Sequence, residues 1–351
     1  MDIEMKAMVL HDWVKKWGGN LKLENVPIPK AGKKEALVKV KACGVGLTVS
    51  NFMVGRTTTD PKLLPRIPGH EIAGDVVEVG EGVENVKAGD RVLVYFYLAC
   101  GYCKFCLDGM QDLCLNLRGQ VGIHCDGGYA EYVKVPADNL IGFPDSIPYV
   151  EATVINDAVG TPVHVVKRRA QVRPGDDVVV IGAAGGVGIH MVQMARVFGG
   201  NVIGVDIDDE KLKKVQELGA YSVINARRQS VVDEVKKATG GKGVESAIDL
   251  VGSRETLTAC LDSVSKQGKV IVLTTHPGVT VEVSPRRLVH DEVAFMGSRY
   301  TTKAEFMEAI EFVRMGKIKP VVSETRPLER VEELHVKLSE NRLLGRGAVI
   351  L

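Results

Sequence analysis

The sequence predicts an α/β protein in which a β-rich domain is joined to a doubly wound parallel sheet, and three observations carry this prediction. A chain of 351 residues exceeds what one hydrophobic core usually organises, so two domains are expected. From about residue 20 to 140, short β-type runs are separated by glycine and proline, the punctuation of strands and turns. From about residue 150 strands alternate with amphipathic helices, the pattern of a parallel sheet with right-handed crossovers.

In chain order, the β-rich section contains ALVKVKAC, AGDVVEV, DRVLVYFY and YAEYVKV, each with the β-branched and aromatic content of a strand. The alternating section begins with the strand DDVVVIG, the helix VGIHMVQMARVFG, the strand NVIGVDI, the helix DEKLKKVQELG and the strand YSVIN. It continues with the helix SVVDEVKKATG, the strand VESAIDLVG, the helix TLTACLDSVSKQG and the strand KVIVLT. Two further helices, KAEFMEAIEFVRMGKI and RVEELHVKLSENRLLG, precede a terminal strand, GAVIL. No internal repeat or low-complexity tract interrupts the chain.

Composition is that of an ordinary soluble protein, with 45% hydrophobic and 25% charged residues. The 45 basic and 44 acidic residues leave a net charge of +1, no field to attract nucleic acid or an anionic membrane. The opening MDIEMKAMVL lacks the basic-then-apolar order of a signal peptide. The longest apolar run, Val178 to Ile189, is too short to span a bilayer and contains four glycines. A cytoplasmic location is expected, with neither nucleic acid nor membrane as a partner.

VVVIGAAGGVGIHMVQMA runs from a buried strand through a glycine-rich turn into a helix. Such a turn lets the backbone approach a pyrophosphate, which the helix N-terminus holds with free amides and its positive dipole end. The residues are Gly182, Gly185, Gly186, Val187 and Gly188, a variant of G-x-G-x-x-G with Ala183 in place of the first glycine. Glycine runs alone also make plain strand-to-helix turns, but here Asp206 ends the next strand, where its carboxylate can accept from the adenosine ribose hydroxyls. That acid repels a 2′-phosphate, and no arginine directly follows it, so NAD is expected rather than NADP.

An odd total of 7 cysteines without a secretory signal argues against a disulfide framework. Four of them, Cys100, Cys103, Cys106 and Cys114, follow the spacing C-x2-C-x2-C-x7-C. Four thiolates close the tetrahedral shell of a zinc ion and leave no position for substrate, so a structural Zn2+ is expected; an iron–sulfur cluster or an empty redox site are the alternatives. Only Lys104 is basic between the first and last cysteine, so the loop lacks the phosphate-binding face of a nucleic-acid zinc finger.

With GHEIAGDVVEVGEGV at 69–83, AGDRV, the four-cysteine loop, GGYAEYVKVP and the glycine-rich turn in this order, the chain resembles the zinc-containing alcohol dehydrogenases of the medium-chain dehydrogenase/reductase superfamily. The resemblance covers essentially the whole chain. It implies a GroES-like catalytic domain from residues 1–156 and 297–351, with a structural zinc lobe at about 97–116, and a Rossmann NAD-binding domain at 157–296. It also implies a homodimer or homotetramer.

In that family a second, catalytic zinc is held by a cysteine in C-G-V-C-x-T/S-D, by the histidine of GHE, and by a cysteine or acid shortly before the cofactor domain. Here Gly46 stands at the first ligand position, His70 is present with Glu71 beside it, and alignment on Thr161 and His164 makes Asp157 the third. Thr48 matches the hydroxyl that exchanges a proton with the substrate oxygen. Val49 replaces an acid, and Asn51 replaces a proton-relaying histidine. Cys43 reads as a small buried thiol rather than a substitute ligand. The resemblance therefore implies a catalytic zinc that is weakened or absent, with His70, Glu71 and Asp157 as its residual ligand set. It further implies nicotinamide contacts from Thr161, Val251 and Leu273, a ribose contact from Lys211 and a pyrophosphate contact from Arg346. Leu47 replaces a basic residue often found at its position.

Two chemistries are then open to an NAD enzyme. One moves hydride between nicotinamide and an alcohol or ketone, with Thr48 orienting the oxygen and His70 as acid or base. The other adds hydride to an α,β-unsaturated carbonyl compound, an enone or enoyl thioester, whose developing enolate needs hydrogen bonds more than a Lewis acid. A non-catalytic NAD-binding protein is the reading if neither occurs.

Overall fold

The computed structural model describes residues 3–13 and 16–351; Met1 and Asp2 of the opening segment lie outside the described residues. The chain begins with an antiparallel pair, β1 (Glu4–Leu10) and β2 (Leu21–Pro27). It continues with β3 (Glu35–Val45), β4 (Glu71–Val79), β5 (Arg91–Val94), β6 (Tyr132–Pro136) and β7 (Leu140–Gly142). The alternating section supplies β8 (Asp177–Ile181), β9 (Asn201–Asp206), β10 (Ser222–Asn225), β11 (Val244–Asp249), β12 (Val264–Val272) and β13 (Ala294–Gly297). Near the C-terminus come β14 (Val322–Pro327) and β15 (Arg346–Ile350).

One compact unit comprises Met1–Asp157, Thr302–Arg314 and Pro320–Leu351. Its larger sheet has the order β14-β15-β3-β4-β5-β7, with β6 also on β3. One edge of β3 is divided: residues 35–39 pair with β6, while residues 42–45 pair with β15. This division places the start of β15, near the end of the sequence, beside the end of β3.

The other unit comprises Ala158–Thr301 and Met315–Lys319. Its six strands run parallel in the order β10-β9-β8-β11-β12-β13. The order reverses between β8 and β11, the switch point at which open α/β sheets bind ligands. Its strands are near-continuous Val and Ile because helices cover both faces: Val179, Ile203, Ala247 and Val270 have no exposed surface.

The C-terminal part of the GroES-like unit is interrupted at residues 315–319, a departure from one continuous segment. Residues 315–319 return to the parallel-sheet unit because Gln193, on the helix Gly188–Val197, clamps Lys319. Its Oε1 accepts from the Lys319 amide at 2.8 Å and its Nε2 donates to the Lys319 carbonyl at 3.0 Å. A second departure corrects an element: TLTACLDSVSKQG is helical only to Ser263, and Val264 already pairs with Val244 in the parallel sheet. The segment around Asp157 also takes a form that periodicity did not signal. It is a helical run with wide π turns at Ile155–Val159 and Val165–Ala170 flanking the short helix Gly160–His164. Pro162 lies in that run and lacks an amide to continue the regular ladder. Among the described residues, no helix is long and apolar enough to cross a membrane.

Candidate active site and metal centre

The four-cysteine loop folds into a ready ligand shell. The Sγ atoms of Cys100, Cys103, Cys106 and Cys114 all lie within 4.8 Å of one another. Cys103 and Cys106 are 3.5 Å apart, and both Cys100–Cys106 and Cys103–Cys114 are 3.9 Å apart. Bonds of about 2.3 Å to one tetrahedral zinc place sulfurs about 3.8 Å from each other, so the shell fits the ion. Backbone amides support the anionic sulfurs: Cys100 N–H donates to Cys114 Sγ at 3.2 Å and Cys103 N–H to Cys100 Sγ at 3.4 Å. Backbone amides of Cys106 and Leu115 draw the Cys103 thiol down to about 6, whereas burial pushes Cys106 up to about 12.

The glycine-rich turn after β8 fits a pyrophosphate. Gly182 has a φ of +81°, and a Cβ on Gly188 would lie 2.0 Å from the Gly182 carbonyl oxygen, so only hydrogen fits where strand and helix cross. Gly185 N–H donates to Gly182 O at 3.1 Å, and Gly186 and Val187 lead into the helix Gly188–Val197. Asp206, the last residue of β9, is tied to this turn: its Oδ2 accepts from the Ala184 amide at 2.9 Å and its Oδ1 from the Ile207 amide at 2.8 Å. Across the switch point, buried Asp249 receives the amides of Val251 at 3.2 Å and Gly252 at 2.7 Å, and its carbonyl receives the Leu273 amide at 3.1 Å. Asp249 thus fixes the loops carrying Val251 and Leu273, a role that its place at a strand end gave no signal of. Thr161 is buried in the helix Gly160–His164, and Lys211 lies in the first turn of the helix Asp209–Glu217.

A third constellation forms in the GroES-like unit. His70 precedes β4, Glu71 opens it, Arg346 opens β15, and the π turn Ile155–Val159 carries Asp157. Arg346 Nη2 lies 2.6 Å from Asp157 Oδ2 and 3.0 Å from Glu71 Oε1, and His70 Nε2 lies 3.9 Å from each of these same two oxygens. Bare backbone makes room for Glu71: a Cβ on Gly44 would lie 2.1 Å from its Oε2, and one on Gly46 would lie 2.8 Å from its Oε1. The His70 ring rests on Phe96 with centroids 4.7 Å apart, and Asn156 Nδ2 donates to the His70 carbonyl at 3.1 Å and the Val94 carbonyl at 3.2 Å. Neither Asn156 nor Phe96 stood out in the sequence, because each acts by position.

Charge divides unequally between the two acids. Burial pushes Glu71 up to about 7, with the Arg346 guanidinium opposing that rise and the charge of Asp157 adding to it. Asp157 is also raised by burial, but His70 and Arg346 outweigh this and hold it well below the ordinary carboxylate range. The guanidinium of Arg346, expected at the pyrophosphate, lies here against Glu71 and Asp157, and its side chain is 5% exposed. Thr48 is exposed in the first turn of the helix Leu47–Met53, Asn51 is half-buried on the same helix, and Cys43 is fully buried.

Ligand atoms of His70, Glu71 and Asp157 also lie within 4.8 Å of one another, the grouping of a metal site. They fit zinc poorly. Bonds of about 2.0 Å to a shared tetrahedral zinc place nitrogen and oxygen ligands about 3.3 Å apart, closer than the 3.9 Å found, and the carboxylate oxygens already hold a cation.

Known proteins match this chain over nearly its whole length. The alcohol dehydrogenase GroES-like domain family matches residues 32–145, and the zinc-binding dehydrogenase family matches residues 186–314. An alcohol dehydrogenase of Geobacillus stearothermophilus is 37% identical over 97% of this chain and 98% of its own length. An NAD-dependent alcohol dehydrogenase of Sulfurisphaera tokodaii is 35% identical over 95% of this chain and 97% of its own. An acryloyl-coenzyme A reductase of the same organism is 29% identical over 93% of this chain and 96% of its own. The crystal structure of AibC superposes with a TM-score of 0.91 at 35% identity, covering 99% of this chain and 96% of the other. With a GroES-like domain, a Rossmann domain, four cysteines grouped as a zinc shell and relatives matching from end to end, the chain belongs to the zinc-binding alcohol dehydrogenases of the medium-chain dehydrogenase/reductase superfamily, a family of NAD-dependent oxidoreductases.

Proposed function

We propose that the chain moves a hydride between NAD(H) and the oxygen-bearing carbon of a small alcohol or ketone, without a second zinc at His70. The observation that carries this reading is the buried cluster of His70, Glu71 and Asp157 in a chain that aligns end to end with alcohol dehydrogenases. The bound nicotinamide supplies the hydride donor and acceptor. Gly182, Gly185, Gly186, Val187 and Gly188 present backbone amides to the pyrophosphate, and Asp206 accepts from the ribose hydroxyls with Lys211 beside it. Thr161 and the backbone at Val251 and Leu273 border the nicotinamide. Thr48 orients the substrate oxygen and passes its proton, Asn51 takes the place of a relay residue, and His70 accepts or returns the proton at Nε2. Asp157 Oδ2 and Glu71 Oε1 each lie 3.9 Å from that nitrogen.

A second reading, reduction of an enoyl thioester or enone, is supported by the full-length likeness to an acryloyl-coenzyme A reductase and by the thiolate missing at Gly46. Following reduced-nicotinamide absorbance with panels of alcohols, ketones and enoyl thioesters separates the two. Turnover of alcohols with NAD, at least about tenfold better than with NADP, is expected, and Asp206→Ala narrows the cofactor ratio. Saturation of enoyl thioesters without alcohol turnover would establish the second reading. Binding of NAD without any turnover would make the chain a non-catalytic dinucleotide-binding protein.

A further inference from the structure

We propose that Arg346 stands in for the second metal: the cation balancing Glu71 and Asp157 beside His70 is a guanidinium built into the chain, and it excludes divalent ions from the cluster. The inference deepens the metal-free part of the reading above and rests on no substrate.

The argument begins with two acids that are nearly removed from water. The side chain of Glu71 is 0% exposed and that of Asp157 is 13% exposed, so the pair needs compensating positive charge close by. In a site with a thiolate at position 46, a dication could supply it. Here Gly46 has no side chain, and the space a Cβ would enter is already bounded by Glu71 Oε1 at 2.8 Å and Arg346 Nη2 at 3.3 Å. One guanidinium nitrogen, Nη2, reaches both acids, at 2.6 Å and 3.0 Å. The oxygens it holds, Asp157 Oδ2 and Glu71 Oε1, are the pair that faces His70 Nε2. A dication shared by these ligands would need the same two oxygens with a fixed positive charge beside it, and arginine cannot relieve the repulsion by losing a proton. Register holds Arg346 in place: its amide donates to Val321 O at 3.0 Å, and the next residue, Gly347, pairs with Val45 beside Gly46. The start of β15 is therefore committed to this position by backbone pairing as well as by charge.

The test is a zinc count on the full chain by mass spectrometry, together with cobalt titration followed by ligand-field absorption. Wild type is expected to hold about one zinc per chain, in the four-cysteine shell, and to show no second cobalt site. Arg346→Met, which keeps length and removes charge, is expected to admit a second ion and bring the count towards about two. Gly46→Cys alone is expected to leave the count near one, because the guanidinium remains, whereas Arg346→Met with Gly46→Cys gives the tightest second site. A wild-type chain holding two ions, the second lost in Asp157→Asn, would overturn the inference even if no Arg346 variant folds. So would Gly46→Cys alone binding two ions, or a cooperatively folded Arg346→Met that still excludes cobalt. Failure of the substrate panel leaves the zinc count unchanged, so the two proposals fail separately.

Discussion

At Gly188 the chain tolerates no side chain, because the missing Cβ would sit 2.0 Å from the Gly182 carbonyl. The obstacle is backbone and cannot swing aside. Gly188→Ala is expected to open the turn and weaken NAD binding at least about tenfold, with the far-ultraviolet circular dichroism unchanged; fluorescence titration with NADH checks it, and unchanged affinity would show that the turn does not hold the pyrophosphate. This glycine and Asp206 were legible because both are local: a strand, a turn and a helix follow one another in sequence. The partners of Arg346 were not legible. Nothing near LGRGAVIL announces two acids, and Asp157 lies 189 residues away.

Among the elements, the four-cysteine loop is where sequence spacing and structure coincide most closely, since fifteen residues contain the whole ligand set and backbone amides point at the sulfurs. Cys103→Ser is expected to remove most of the bound zinc and lower the thermal midpoint by several degrees, read by metal analysis and calorimetry. A variant retaining stoichiometric zinc would show that the ion is held elsewhere. Acid is expected to release this zinc, because every ligand must be a thiolate and Cys106 is held high by burial. The π turn carrying Asp157 is the contrasting case. Its residues, INDAV, show no helical period, and within it Asn156 reaches the carbonyls of His70 and Val94.

At the scale of the whole molecule, His335 ties distant segments of the GroES-like unit together. It lies on the helix Val331–Ser339, its Nδ1 is 2.6 Å from Ser50 Oγ, and its Nε2 is 3.0 Å from Tyr129 Oη. Burial lowers its pKa to about 3 from an ordinary value of 6.5. Between these values the unfolded chain binds the proton that the folded chain refuses, so stability rises with pH across the window and falls on acidification. Between pH 7 and 4.5, His335→Gln is expected to lose less stability than wild type by about 2–3 kcal/mol, measured in denaturant melts. Parallel losses would show that His335 is not the group that must be charged on unfolding. Asp157, whose pKa is depressed, adds to the acid loss in both proteins, and Glu71, whose pKa is raised, opposes it, so the comparison isolates His335. By itself the sequence determined the alternating parallel-sheet domain, the glycine-rich turn after β8 and the four-cysteine loop, because each is a pattern among near neighbours. Only the tertiary structure decided which cation sits beside His70. That choice depends on the register of β15 against β3 and on Asn156 bonding the His70 carbonyl, pairings between distant residues that no local pattern encodes.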